Sequence, residues 1–391
     1  MTTHPGPTPS AREPRDAAAS RVPGAGASVQ SGTPEPSPAG RSRSAAPRIA
    51  ILALGGACML AGLNAALVAV GVWAPAPADH LPSVHGMVMV LGFMGTLIAL
   101  ERAQALRQTW AYLAPALLAC GGLALVAGAH MLGQLLLIEG CLTFALVYLA
   151  LWRRAPLPLV AVQVLSTVPA LLAACLWLSV DVFTILPLLQ AFLILTIAAE
   201  RAELAQLSLG ARAVPRLVGL ASALVLAASG SLLWPAIGTR AFGLATLATA
   251  AWLLRDDVAR RMVRTEGLRR YNGAALLAGY AWLGVAGLVW LVGGVPGGDA
   301  AYDVVVHAVF LGFGVSMIMA HAPLIFPAVL GRPLPYRPAM WVPLGLLHAG
   351  LVLRVVGDIL GRGLPWQIGS VVTVLSLLAF AATAAFSAVR A

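Results

Sequence analysis

Two histidines each stand near the head of a long apolar run. His85 belongs to SVHGMVMVLGFMGTLIALERA at 83–103, and His307 belongs to VVHAVFLGFGVSMIMAHAP at 305–323. Ionisable groups inside a membrane are costly and are usually functional. We expect both histidines about one turn below the outer surface, on helices that run in the same direction. One imidazole from each of two helices at one depth suits bis-histidine ligation of a haem iron. The alternative is that each histidine hydrogen-bonds a neighbouring helix.

A glycine follows each histidine seven residues later, at Gly92 and Gly314. Seven residues make close to two α-helical turns, so each glycine is expected on the same face as its histidine. A residue without a side chain at that place would let a flat macrocycle lie against the helix.

Other polar groups fall inside apolar segments. Arg354 and Asp358 are one turn apart and could neutralise each other, or Arg354 could contact a haem propionate. His348 is expected near mid-membrane, either as a ligand of a second metal or in a polar contact. Glu139 could relay protons or stay protonated and hydrogen-bonded to a neighbour.

A separate metal position is conceivable around His321, which is fourteen residues beyond His307. That spacing corresponds to about 21 Å along a helix, too far for one shared metal. Met317 precedes His321 by one turn, and Met89 follows His85 by one turn. Thioether and imidazole together suit Cu(I), although methionine is also common packing material.

The composition indicates what must position these groups. Of the 391 residues, 60% are hydrophobic and only 10% are charged, whereas soluble domains carry about a quarter charged residues. The sequence therefore predicts an all-α polytopic protein whose main partner is the lipid bilayer. Twelve segments are long enough to span it, near 48–72, 84–100, 110–129, 131–151, 157–179, 182–199, 215–235, 240–254, 271–293, 304–328, 339–357 and 366–389.

Arginine supplies all 25 basic residues, and its distribution gives the orientation. The N-terminal segment, every second loop and the C-terminus carry 22 of the 25, while the alternate loops hold only Arg240 and Arg362, together with Asp79, Asp181, Asp299 and Asp303. The positive-inside rule then places both termini in the cytoplasm of a bacterial inner membrane. This topology explains the net charge of +10 without a nucleic-acid partner. The four cysteines lack paired spacing, and no disulfide partner is expected.

The chain divides into two regions of different composition. Residues 1–46 are rich in Pro, Gly, Ser, Ala and Arg and have almost no large apolar side chains. We expect them to form a disordered cytoplasmic tail, because they cannot bury enough surface to offset chain entropy. Residues 47–391 form the twelve-helix transmembrane domain.

An internal repeat relates three of the predicted spans. LIALERAQAL ends span two and TIAAERAELAQL ends span six, 99 residues apart. When span ten is aligned through the shared tripeptide LGF, His321 takes the place of Glu101 and Glu200. This pattern favours three four-helix units over the six-plus-six repeat of many secondary transporters.

Twelve spans in a threefold pattern, with histidines near the outer ends of spans two and ten, resemble the large subunit of haem–copper oxidases. The resemblance implies that His85 and His307 ligate a low-spin haem. The chain departs from that family at Val305, where a second histidine is expected. It also has no histidine on span six and no histidine pair after span seven, so the oxygen-reducing centre is not recognisable.

A nearer resemblance is to the NnrS family of haem- and copper-containing twelve-span proteins associated with nitric oxide metabolism. His85 with GMVMVLGF, the segment 307–335 and LLHAGLVLRVVGD at 346–358 carry it. The resemblance implies haem b, possible copper, and a redox role with an electron-transfer partner that the sequence does not identify. It is weaker at span two, which carries His85 alone, with His80 five residues earlier in the loop. A secondary transporter and a copper-handling protein are the alternatives.

Overall fold

The computed structural model describes residues 46–204, 213–331 and 333–390, and the predicted tail lies outside them except for Ala46. The described residues form helices joined by short loops, with no strand among them, and twelve helices are long and apolar enough to cross a membrane. The prediction of an all-α polytopic membrane protein is therefore confirmed. The spans are Ala46–Val70, Leu81–Leu106, Thr109–Val126, His130–Arg154, Pro158–Leu176, Val182–Leu204, Ala213–Leu233, Pro235–Asp256, Gly267–Gly293, Asp299–Pro327, Pro338–Ile359 and Leu364–Val389.

Proline and glycine set several of the span boundaries. Pro158 and Pro235 begin spans five and eight, where the missing proline N–H costs nothing because a first-turn N–H has no helical partner. Gly128 and Gly294 follow spans three and nine with φ of 81° and 66°, values that side chains disfavour. The chain can therefore turn sharply between antiparallel neighbours.

Three spans form the centre of the bundle. Of the 18 most apolar consecutive residues in each span, 72%, 83% and 72% are buried in spans two, six and ten, against 28–56% in the other nine spans. Each span packs against the next along the chain, and span twelve returns to span one. The other spans thus enclose the three that carry the repeated motif, and these three have few lipid-facing positions.

Equivalent positions of the three central spans meet one another. Met94, Leu193 and Gly314 correspond in the repeat alignment. A Cβ placed on Gly314 would lie 2.8 Å from Leu193 Cδ2 and 3.5 Å from Met94 Cε. The contact supports the internal repeat and shows that the three spans converge at this level.

Spans two and ten share a local feature that the sequence analysis did not predict. Each contains eight π-helical residues, Val88–Gly95 and Ala308–Val315, which correspond in the LGF alignment. A hydroxyl follows each segment: Thr96 Oγ1 donates to the Gly92 carbonyl at 2.7 Å, and Ser316 Oγ donates to the Gly312 carbonyl at 2.6 Å. π-helical turns are rare in proteins, and those that occur are often located at functional sites.

Candidate functional site

His85 and His307 line one cavity, which we call the histidine cavity. It is narrow and largely apolar, has a volume of about 70 Å³, and is walled by spans one, two, six, ten, eleven and twelve. His85 is the fifth residue of the helix that begins at Leu81, and His307 is the ninth of the helix that begins at Asp299. The structure thus brings together the two histidines that the sequence paired.

Hydrogen bonds at Nδ1 fix the orientation of both imidazole rings. His85 Nδ1 lies 2.9 Å from the Gly62 carbonyl oxygen, and His307 Nδ1 lies 2.8 Å from that of Asp303. A carbonyl oxygen can only accept, so each Nδ1 carries the proton. Neither Nε2 bonds to a residue of the described chain. Histidines that ligate metals typically donate their other ring N–H in this way.

Gly62 on span one allows this arrangement because it has no side chain. A Cβ at Gly62 would lie 2.2 Å from the Met89 sulfur, so even alanine would displace Met89. Met89 lines the histidine cavity one turn after His85. The close approach of spans one and two therefore both orients His85 and shapes the cavity wall.

Of the two alternatives for Arg354, the ion pair with Asp358 is not formed. Arg354 instead binds Asp303 through two hydrogen bonds of 2.6 Å, from Nε and Nη2, and also donates to Ser370. Asp358 lies 3.4 Å from Arg362. The predicted span ten starts at residue 304, which would leave Asp303 in an outer loop. The helix of span ten begins four residues earlier, which places Asp303 inside the bundle, where its carboxylate matches the planar guanidinium.

Asp303 also connects Arg354 to His307. Its Oδ1 lies 3.3 Å from His307 Nδ1, and Trp366 Nε1 donates to its Oδ2 at 3.3 Å. Arg354, which lines the histidine cavity, thereby holds the carboxylate that braces one of the two imidazoles. The sequence carried a signal for this arrangement, since the acid precedes its histidine by four residues and shares its helix face.

The two glycines lie elsewhere than expected. A Cβ on Gly92 would meet Gly122 Cα at 3.1 Å and Cys58 Sγ at 3.4 Å, so Gly92 packs against spans three and one. Gly314 contacts Leu193 instead and lines a different cavity. Each π turn takes one residue more than an α turn, so seven residues no longer complete two turns from the histidine.

The other predicted metal ligands are separate from the histidine cavity. His348 Nδ1 accepts a hydrogen bond of 3.1 Å from Trp282, and its buried Nε2 has no partner among the described residues. His321 and Met317 line a second cavity, where both ring nitrogens of His321 have partners. No group of three or more His, Cys, Asp or Glu in the described ranges is arranged to hold a metal ion. Glu139 is exposed on span four.

Comparison with known proteins gives one match. Residues 48–389 match a family described as a domain of unknown function (DUF8744), and the chain belongs to this family. No curated protein and no solved structure matches the chain. The match covers all twelve spans and thus groups the chain by its whole membrane domain.

Proposed function

We propose that this protein binds one b-type haem in the histidine cavity, with Nε2 of His85 and of His307 as axial ligands. One observation carries the proposal: two imidazoles line the same narrow cavity, and each has its Nδ1 anchored and its Nε2 free. The chain has no CxxCH motif for covalent attachment, so the haem would be held without a covalent bond between its porphyrin and the protein.

The residues of the cavity suit this cofactor. Its walls are mainly aliphatic and aromatic, as in other cofactor pockets, and because its volume is only about 70 Å³ the lining side chains must move apart to admit a haem. Arg354 and Ser370 contribute polar groups to the wall, and we propose that Arg354 meets a propionate there. The described residues offer no comparable group for copper, so haem alone is proposed. When bound, a haem supplies one-electron redox and gas-binding chemistry.

The two axial positions differ in how firmly the protein holds them. His307 is braced by the carbonyl and the carboxylate of Asp303, whereas the ring of His85 has the Gly62 carbonyl as its only hydrogen-bond partner in the described chain. A gaseous ligand would therefore displace His85 in preference to His307. This asymmetry supports a role in redox or nitric-oxide chemistry at the bacterial inner membrane, as the resemblance to NnrS implies.

The test is the absorption spectrum of protein purified in mild detergent from haem-replete cells. We expect a Soret band and, on reduction, sharp α and β bands of a six-coordinate haem. His85→Ala or His307→Ala should abolish or reshape these bands. His130→Ala is the matched control, since His130 is exposed at the start of span four. Colourless, well-folded protein would reject the proposal and favour secondary transport.

A further inference from the structure

A third cavity lies at the arginine-rich end of the bundle, where spans nine and eleven begin. It has a volume of about 390 Å³ and is lined by Glu266, Gly267, Arg270, Tyr336 and Trp341. The first three of these residues start span nine, and the two aromatic residues flank the start of span eleven. We call it the interfacial cavity. Spans two and ten begin at the opposite end of the bundle, so the histidine cavity is a separate site.

Two opposite charges in the interfacial cavity are unpaired. Glu266 and Arg270 are four residues apart, a spacing that allows an ion pair on a helix surface. Glu266, however, is the N-cap residue and has an extended backbone, which removes it from the helical register of Arg270. Neither side chain makes a hydrogen bond or an ion pair with any residue of the described chain. The cavity therefore presents one carboxylate and one guanidinium to a ligand.

The interfacial cavity is also rich in hydrogen-bond donors. The Tyr336 hydroxyl accepts from Trp341 Nε1 at 3.1 Å, which leaves its own hydrogen available. The Glu266 side chain does not cap the helix that begins at Gly267, so the first-turn amides lack that partner. Tyr271 packs against the rings of Tyr336 and Trp341, and its buried hydroxyl has no partner among the described residues. Donors at a helix N-terminus, together with a guanidinium, suit a phosphate.

The carboxylate determines what else the ligand must carry. A phosphate alone would place a second negative charge near Glu266 and leave that residue unpaired. An ammonium group covalently linked to the phosphate removes this conflict, because it pairs with the carboxylate and can lie against the aromatic rings of Tyr336 and Trp341. Phosphoethanolamine carries both charges in a compact group, which the 390 Å³ of the cavity can hold.

The position of the interfacial cavity favours a lipid as the source of this group. Tryptophan and tyrosine are enriched where a membrane meets water, and Trp341 is the first residue of the α-helix of span eleven. Basic pockets between transmembrane helices bind lipid headgroups. We propose that the interfacial cavity binds the headgroup of phosphatidylethanolamine, with the phosphate at Arg270 and the ammonium at Glu266. This site does not depend on the proposed haem.

Native mass spectrometry of the delipidated full-length protein in detergent measures this binding. The probes are phosphatidylethanolamine and phosphatidylglycerol with identical acyl chains, which share the phosphate but differ in the ammonium. We expect one bound phosphatidylethanolamine per chain and about tenfold weaker binding of phosphatidylglycerol, because the glycerol headgroup leaves Glu266 unpaired. Arg270→Gln should weaken the binding of phosphatidylethanolamine by a similar factor. Glu266→Gln should remove the preference between the two lipids.

Arg269→Gln is the matched control, since Arg269 is exposed on the same helix but does not line the interfacial cavity. A melting temperature near that of the wild type shows that each variant is folded. The proposal is overturned if the wild-type protein does not prefer phosphatidylethanolamine, if folded Glu266→Gln keeps the preference, or if Arg269→Gln weakens binding as much as Arg270→Gln. The wild-type comparison of the two lipids decides the matter even if the variants fail to fold.

A soluble probe distinguishes a lipid from a free metabolite. Glycerophosphoethanolamine has the same headgroup without acyl chains, and it should bind much more weakly than the lipid because it lacks their apolar contacts with the spans. Equal affinity of the two compounds would assign the interfacial cavity to a soluble ligand and would overturn the proposal.

Discussion

Asp303 is the residue on which the geometry of the histidine cavity most depends. Its carboxylate receives two hydrogen bonds from Arg354 and lies 3.3 Å from His307 Nδ1. Carboxylates in this position orient a ligating imidazole and increase its basicity. The chain thus braces His307 with a carboxylate, and no carboxylate of the described residues braces His85 in the same way.

A double variant that removes both the Asp303 carboxylate and the Arg354 guanidinium separates the effect on His307 from a general loss of stability. Asp303→Asn or Arg354→Gln alone should cost about 3–5 kcal/mol, because each leaves a buried charge unpaired, whereas the double variant should regain most of that loss. With haem bound, the reduction potential of the double variant should exceed that of the wild type by on the order of tens of millivolts, because His307 becomes a weaker electron donor to the iron. Detergent-phase denaturation and potentiometric titration measure the two effects.

The prediction would be contradicted by a double variant that is folded and haem-loaded but has an unchanged potential. Asp299 provides the control, since its side chain is 88% exposed and lies 3.4 Å from Arg362. Asp299→Asn should therefore leave the potential near that of the wild type.

At the scale of single elements, the helices could be predicted from the sequence. For spans two and ten, the faces on which their side chains lie could not. Hydrophobic length and arginine distribution suffice for twelve spans, because crossing a bilayer imposes both. The histidine pair was also identifiable, because an imidazole in an apolar run is rare. The π-helical segments were not identifiable, because a run of eight apolar residues has the same sequence pattern in α-helical and in π-helical geometry. Gly92 and Gly314 were assigned to the wrong face for that reason.

The revised position of Gly92 has a measurable consequence. Gly92→Leu should lower the stability of the bundle by about 1–3 kcal/mol through overpacking. Spans two and three are in contact at this position, and the added Cβ would lie only 3.1 Å from Gly122 Cα. Haem content should fall only as the folded fraction falls. Gly56→Leu is the control, since its Cβ would meet nothing within 4 Å. Melting curves that show Gly92→Leu as stable as Gly56→Leu would refute this packing.

At the scale of the whole molecule, the three central spans define two cavities, one lined by two histidines and one by two glutamates and a histidine. The repeat was visible in the sequence, and it correctly grouped Glu101, Glu200 and His321, which line one cavity. Their convergence could not be foreseen from spacing alone, since it depends on how the outer spans enclose the central three.

The orientation of this bundle is testable by single-cysteine labelling in intact cells, with the four native cysteines replaced. The wild-type Trp73 is 81% exposed and lies in an arginine-poor loop. An impermeant maleimide should therefore label the Trp73→Cys variant from outside. Arg264→Cys, exposed in the arginine-rich loop before span nine, should be labelled only after lysis. External labelling of position 264 would reverse the topology and place the histidine cavity near the cytoplasm.

The central claim is that His85 and His307 ligate the same iron, and low-temperature electron paramagnetic resonance of the oxidised protein tests it most directly. The account predicts a low-spin ferric signal typical of two imidazole ligands, and its conversion to a high-spin signal in His85→Ala and in His307→Ala. It also predicts that His348→Ala and His130→Ala keep the low-spin signal. A low-spin signal that survives the loss of either His85 or His307, or that disappears with His348, would contradict the account.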